Sequence, residues 1–221
     1  MRNAYPFTFG GQTLVARASG ALHWPAQDIL VVSDLHLGKS SRMARRNGPL
    51  LPPYEVTDTL HRLQNDILET GAAHVISLGD SFDDMIAATE LTRTDRDWID
   101  RLTVGRRWTW ITGNHDPAPA GMAGQSTDCL TVGPLTWCHI ATDIDRFEVS
   151  GHYHPKASLS LRGRPVSRPC FLRDARRLIM PAYGTYTGGL RSGDPALASL
   201  MGAGARAILA GSPMVEIPMP R

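Results

Sequence analysis

Long apolar runs are missing from this chain. No stretch approaches the roughly 18–20 consecutive apolar residues that a membrane helix requires. Met1–Gly20 carries Arg2 and Arg17 with no apolar run between them, which is not the pattern of a secretory signal. Cysteine is scarce: Cys129, Cys138 and Cys170 are odd in number and lack CxxC spacing. That predicts neither a disulfide framework nor a zinc ribbon, and it fits a reducing, cytoplasmic setting. No repeat, low-complexity block or long linker divides the 221 residues, so a single domain over 1–221 is expected. Lysine is almost absent. Of 23 basic residues only Lys39 and Lys156 are lysine, leaving 21 arginines. The planar guanidinium suits bidentate phosphate contacts, but GC-rich codon usage produces the same skew. A net charge of +2 does not decide between them.

What is present is a regular alternation of elements. Tyr5–Phe9, Thr13–Arg17 and Gly20–His23 read as short strands between glycine-rich turns. Asp28–Ser33 is a continuous apolar run, the pattern of a strand buried on both faces. Val56, Leu60, Leu63 and Ile67 recur at helical spacing after Pro52-Pro53, with Gly71 placed to cap the helix. His74–Leu78 and Trp108–Thr112 are two more buried strands, with a helix around Asp95–Leu102 between them. Strand–helix–strand–helix–strand implies a parallel sheet with crossover helices. Beyond Asp128 the texture changes to short strands, expected to be antiparallel, at Leu135–Ile140, Phe147–Ser150, Ala157–Leu161, Arg168–Leu172 and Leu178–Pro181. A short helix at Ala196–Met201 and closing strands at Ala207–Ala210 and Met214–Ile217 complete the pattern.

Polar residues with metal-ligand chemistry sit just past the three buried strands. Asp34 and His36 follow the first, Gly79-Asp80 the second, and Gly113-Asn114-His115-Asp116 the third. In open α/β sheets that edge is where ligands bind. His139 and Gly151-His152-Tyr153-His154 come from the second half. Alternate positions on an extended segment point the same way, so Asp34/His36 and His152/His154 are each expected to share a face. Asp34, Asp80 and Asn114 offer oxygens, and His36, His139, His152 and His154 offer imidazoles. This thiolate-free set suits Mn²⁺, Fe or Zn²⁺ in a reactive site. Its seven donors exceed what one ion needs. Two ions about 3.5–4 Å apart, sharing one carboxylate, would use them all and make hydroxide available near neutral pH. Each motif alone occurs by chance in ordinary loops, but five of the eight histidines fall inside these pieces. His23, His61 and His74 have no such neighbours and read as surface or packing residues.

The blocks Asp34-Leu-His36, Gly79-Asp80-Ser-Phe-Asp83, Gly113-Asn-His115-Asp116, His139 and Gly151-His152-Tyr-His154 resemble the signature blocks of the calcineurin-like metallophosphoesterases. The resemblance runs from about Asp28 to Pro155. It implies a four-layer α/β sandwich, two mixed β-sheets flanked by helices. It assigns Asp34, His36, Asp80 and His154 to one ion, and Asp80, Asn114, His139 and His152 to the other. His115 is then the histidine that protonates the departing oxygen. A narrower resemblance, over nearly the whole chain, is to bacterial ligase-associated DNA-damage-response endonucleases of the PdeM type. It is carried by Leu35-His-Leu-Gly-Lys39-Ser-Ser, Leu51-Pro-Pro-Tyr54, Gly79-Asp-Ser-Phe82 and Pro181-Ala-Tyr-Gly-Thr-Tyr-Thr-Gly-Gly-Leu190. It implies a Mn²⁺-dependent endonuclease linked to an ATP-dependent DNA ligase and a helicase in repair. The chain departs from that pattern at Asp84, where His-Asp is expected across 83–84; neither residue is among the donors.

The reaction this implies is in-line attack of hydroxide on a DNA phosphodiester, single-stranded DNA being favoured, with His115 as general acid. Asp116 is placed either to orient the His115 imidazole or to cap the loop. Lys39, Arg42, Arg45 and Arg46 start beside the site and are the expected phosphate contacts. Arg106-Arg107 and Arg162, Arg164, Arg168 read equally well as solvated surface. Tyr183 or Tyr186 could stack on bases, and Tyr153 is expected to pack. The same donor set also serves a small-molecule phosphodiesterase or a phosphoprotein phosphatase. A non-catalytic interaction module is disfavoured by the completeness of the set.

Overall fold

The computed structural model describes residues 3–116, 121–142, 146–161 and 163–221. Arg2 and Arg162 fall outside them.

The first sheet has seven strands. β1 (Ala4–Phe9), β2 (Gln12–Arg17) and β3 (Leu22–Trp24) run antiparallel up to β4 (Ile29–Val32). From β4 through β5 (His74–Leu78), β6 (Arg107–Ile111) and β7 (Gln125–Thr127) the pairing is parallel. The four residues of β4 and the five of β5 are all buried; β4 is an unbroken apolar run, while β5 also buries His74 and Ser77. The crossovers contain α1 (Lys39–Arg45), α2 (Glu55–Thr70), α3 (Met85–Glu90) and α4 (Arg93–Thr103). α2 ends where expected: Gly71 takes a left-handed conformation (φ 65°) and its N–H donates to the Ile67 carbonyl.

The second sheet has eight strands. β8 (Cys129–Val132), β9 (Leu135–Cys138), β10 (Phe147–Ser150), β13 (Arg177–Ile179), β12 (Arg164–Arg173), β14 (Arg206–Leu209) and β15 (Val215–Pro218) lie in that spatial order, and β11 (Lys156–Leu161) pairs with β12. Here the antiparallel expectation is corrected. β10 is parallel to both β9 and β13. This decides where the site forms, because parallel β9 and β10 bring their following residues, His139 and Gly151-His152, to one edge. The Gly151 N–H donates to the His139 carbonyl at 2.9 Å. Antiparallel pairing would have sent them to opposite ends.

The sheets face each other across a dry core. Phe9, Leu14, Ile29 and Ile76 of the first meet Leu135, Val149, Phe171 and Ile208 of the second. Trp24 and Trp137 are buried in contact across the interface, with ring centroids 6.2 Å apart. Each such buried side chain contributes about 1.5–3 kcal/mol relative to exposure. The other face of the first sheet is covered by Leu60, Leu63 and Ile67 of α2 and Ile99 and Leu102 of α4. The fourth layer is thinner than the resemblance implies. α5 (Pro195–Leu200) contributes Leu197 as its buried residue, in a cluster that also holds Ala157 of β11.

The reading of the cysteines is also corrected. Cys129 and Cys138 form a disulfide. They stand opposite each other on antiparallel β8 and β9 with Cα atoms 4.6 Å apart, inside the range a bridge requires. The pairing depends on hairpin register, which residue counting cannot see. The inference of a reducing compartment from cysteine number loses its support. Cys170 is free and buried.

Candidate metal centre

The seven predicted donors converge where the two sheets meet. One cluster is Asp34, His36 and His154; a second is Asp80, His139 and His152, the ligand atoms in each lying within 4.8 Å of one another. The Asn114 side-chain oxygen lies 3.0 Å from His139 Nε2 and joins the second cluster. His36 Nε2 and His139 Nε2 lie 4.0 and 3.4 Å from the same Asp80 oxygen, so that carboxylate faces both clusters.

The route to this arrangement differs from the one the sequence suggested. Asp34 and His36 have φ of 54° and 45°, Asp80 45°, and His152 and His154 67° and 47°. None of the five lies on an extended segment. Left-handed backbone is costly for non-glycine residues and concentrates at functional sites. Among the described residues, five of the eight non-glycine positions with positive φ are donors. His152 and His154 accordingly go to different clusters rather than sharing one face. Two glycines permit the close approach. A Cβ on Gly79 would lie 2.2 Å from His139 Nδ1, and one on Gly151 would lie 1.9 Å from the Ser33 hydroxyl.

The donor atoms fit ions. Asp34 Oδ1, His36 Nε2 and His154 Nε2 are buried without a hydrogen-bond partner among the described residues. His154 Nε2 approaches Asp34 Oδ1 to 3.0 Å without hydrogen-bond alignment, as two lone pairs aimed at a common point would. Burial pushes the Asp34 carboxyl up, but His154, His139 and Ser33 outweigh it and hold it below its ordinary value. At Asp80 burial is likewise overcome, by His139 and the His115 N–H, leaving the carboxyl at about 2. Burial lowers His139, and Asp80 and Asp34 more than restore it, to about 8. A field that favours a proton on His139 favours a metal cation in the same place.

Around the donors, three acidic residues take distinct roles. Asp83 is fully buried, with an oxygen 2.8 Å from His36 Nδ1, which places its charge behind that imidazole. Its carboxyl is driven well down by His36, Lys39 and Arg42 against the opposing effect of burial. Asp84, the departing position, caps α3 by accepting from the Ala87 N–H at 2.7 Å. Asp116 caps the loop rather than orienting His115: its Oδ2 accepts from the Phe82 N–H at 3.0 Å. Burial and nearby Asp80 raise its carboxyl to about 7. His115 is positioned instead by the Asp83 carbonyl oxygen, 3.0 Å from Nδ1, and its ring packs edge-on to His36 at 5.3 Å.

The basic segment behaves differently from expectation. Lys39 and Arg42 pair with Asp83, and Arg45 with Asp84 and Glu90. Three of the four predicted phosphate contacts are therefore neutralised within the protein, and Arg46 alone has no acidic partner among the described residues. Arg106 and Arg107 lie at the start of β6, the end away from the metals. Tyr183 is buried, with its hydroxyl donating to Asp66 at 2.8 Å. Tyr153 packs in the outer core of the second sheet. His74 is buried, with Nε2 2.9 Å from the Thr109 hydroxyl; His23 is half-buried.

A two-sheet sandwich with paired oxygen and imidazole clusters at one edge defines a metal-dependent hydrolase. Residues 28–176 match the calcineurin-like phosphoesterase family model, and the chain belongs to that family. Its members use a dinuclear metal site. A nuclease of Pseudomonas putida, nuclease MPE, is 27% identical with a TM-score of 0.79, over 97% of this chain and 100% of that one. YfcE, a phosphoesterase of E. coli, is 11% identical with a TM-score of 0.45, over 87% and 99%. No curated protein matches the chain.

Proposed function

We propose that this protein is a nuclease that hydrolyses DNA phosphodiester bonds with two bound divalent metal ions, Mn²⁺ by preference. The observation that carries this reading is full-length similarity to a nuclease at 27% identity, joined to a complete donor set. Asp34, His36 and His154 would hold one ion; Asn114, His139 and His152 would hold the other, and Asp80 would serve both. When bound, the ions supply hydroxide near neutral pH and offset the charge that builds on the phosphate oxygens.

His115 does the remaining proton chemistry. The Asp83 carbonyl oxygen can only accept, so His115 Nδ1 keeps its proton as the donor in that contact. Nε2 of the imidazolium is then the atom that gives a proton to the departing sugar oxygen. Of the basic segment, Arg46 is retained as a phosphate contact, while Lys39, Arg42 and Arg45 frame Asp83 and Asp84. A role in DNA repair beside an ATP-dependent ligase and a helicase rests on the sequence resemblance.

The test is to supply pure protein with Mn²⁺, single-stranded circular DNA and a chromogenic phosphodiester. Linearisation of the circle is the expected result. Cleavage of the small ester alone would sink the DNA reading and favour a small-molecule phosphodiesterase. Inactivity on both, across metals, would leave a non-catalytic module.

A further inference from the structure

The loop 181–190 is unassigned once the donors are placed, yet it is fastened to both donor segments. The Tyr183 N–H donates to the Ser33 carbonyl at 2.7 Å and the Gly184 N–H to the Asp34 carbonyl at 3.1 Å. At the other end the Leu190 N–H donates to the Tyr153 carbonyl at 3.3 Å, and a Cβ on Gly189 would lie 2.1 Å from the His154 carbonyl. Between these ends the loop is tied to α2. The Thr185 N–H donates to Thr59 at 3.2 Å, and Arg62 donates to the Thr185 hydroxyl at 3.0 Å.

Two hollows use this loop as a wall. One of about 340 Å³ is lined by His152, His154 and the loop's end, Gly189 and Leu190. The other, about 420 Å³, is lined by Arg62, Arg168 and the loop's beginning, including Gly184 and Tyr186. No carboxylate lines the second hollow among the described residues. Arg168 is braced there, Nε donating to the Ala210 carbonyl at 2.6 Å and Nη1 to that of Pro213 at 3.0 Å. Arg62 stacks over the Tyr183 ring at 4.8 Å, with Asp58 3.4 Å from its Nη2. Arg168 Nη2 and Arg62 Nε are buried in the wall of the hollow and find no acceptor among the described residues. Tyr186 holds a left-handed backbone (φ 65°), and its ring lies 5.6 Å from that of Tyr54, which is 54% exposed.

We propose that the second hollow binds the phosphodiester backbone of the substrate strand beside the scissile phosphate. Arg62 and Arg168 meet phosphate oxygens, and the Tyr54–Tyr186 pair stacks a base. This rests on the nuclease reading above and names the strand's path. Paired guanidinium groups and an aromatic platform are the two devices that hold single strands without reading sequence. The segment Lys39–Arg45 offers no aromatic platform, and its basic groups are held by Asp83, Asp84 and Glu90.

The test compares wild type with two double variants, Arg62→Gln/Arg168→Gln and Tyr54→Ala/Tyr186→Asn. Asparagine is chosen because it tolerates left-handed backbone. Kinetics are measured on a single-stranded oligonucleotide and on bis-p-nitrophenyl phosphate. Both double variants should raise KM for DNA about tenfold relative to KM for the small ester. The arginine pair alone should also flatten the dependence of log KM on log salt, by about 1.4 for two lost phosphate contacts. Wild-type values of both quantities in both variants would overturn the track while leaving the nuclease reading intact. If wild type cleaves only the small ester, the nuclease reading falls and the track with it. Should a variant fail to fold, ultraviolet crosslinking of wild type to bromouracil-containing DNA decides: adducts at Tyr54 or Tyr186 support the proposal, and adducts confined to Lys39–Arg46 refute it.

Discussion

The two sheets contribute different chemistry to one edge. The first sends out Asp34, Asp80 and Asn114 with a single imidazole, His36, from the ends of β4, β5 and β6. The second sends only imidazoles, His139 from β9 and His152 and His154 from β10. Neither edge holds a complete site. Asp34 and His36 need His154 from the opposite sheet, and Asp80 needs His139 and His152. The lesson is that the site is an interface. The inter-sheet core around Trp24 and Trp137 sets the spacing on which both clusters depend.

The sharpest way to break this comparison is Asp80→Ala, which takes from the oxygen-bearing edge the carboxylate facing both clusters. Turnover should fall on the order of 10³-fold or more, since both ions lose a ligand. Bound metal, counted by elemental analysis, should drop below one per chain. His152→Ala removes one imidazole from the other edge and should leave the Asp34 cluster its ion. If the two variants bind equal amounts of metal, Asp80 is not shared.

Next in size is His115→Ala, which touches neither edge's donors. Two metals should remain, with turnover on DNA falling on the order of 10²–10⁴-fold for a lost proton donor. The loss should shrink on a p-nitrophenyl ester, whose leaving group needs no proton. Equal losses on both substrates would remove His115 from the acid role.

Metal removal tests whether the ions join the sheets. At ion concentrations of about 100 times Kd, binding adds about 2.7 kcal/mol to stability per ion, about 5 kcal/mol for two. For a chain of this size chelation should then lower Tm by about 10–20 °C in a scanning calorimeter. Asp80→Ala, already metal-poor, should show a much smaller shift. An unchanged Tm in chelated wild type would mean that the sheets are spaced without help from the ions.

Much of this was legible because the buried parallel strands are mostly apolar and polar candidates follow them immediately. β4, β5 and β6 stand out as short, mostly apolar segments, α2 carries a helical period, and Gly71 marks its end. The second sheet was harder. At four residues each, with seven of the eight positions buried, β9 and β10 are too short for their composition to show whether they pair parallel or antiparallel. α1 has no buried residue, and with no apolar stripe it left no periodicity to read. The candidate donors were picked out by residue type and order, and the structure brings them together, although the extended geometry invoked for them was wrong; backbone sign at Asp34 or His154 is set by tertiary contacts. The ion pairs of the basic segment were hidden for a related reason. Its charge is visible in sequence, but its neutralisers Asp83, Asp84 and Glu90 lie about 40 residues away.

The smallest predicted effect uses a histidine at the wrong end of a donor strand. His74 opens β5, whose far end leads to Asp80, and it sits between strands against Thr109. Burial, with some help from Arg107, lowers its pKa from 6.5 to about 4. The sign follows: as pH falls below 6.5 the unfolded chain takes up a proton that the folded chain refuses until about pH 4. Stability should therefore be flat above 6.5 on this account and decline between 6.5 and 4, by about 1–3 kcal/mol at about 1.4 kcal/mol per pH unit. Denaturant unfolding in chelator at pH 7.5 and 4.5 measures it without the metals. His74→Gln, which keeps a partner for Thr109, should lose that share of the decline while retaining wild-type turnover at pH 7.5. If the variant declines as steeply as wild type, His74 is not the source of the acid sensitivity.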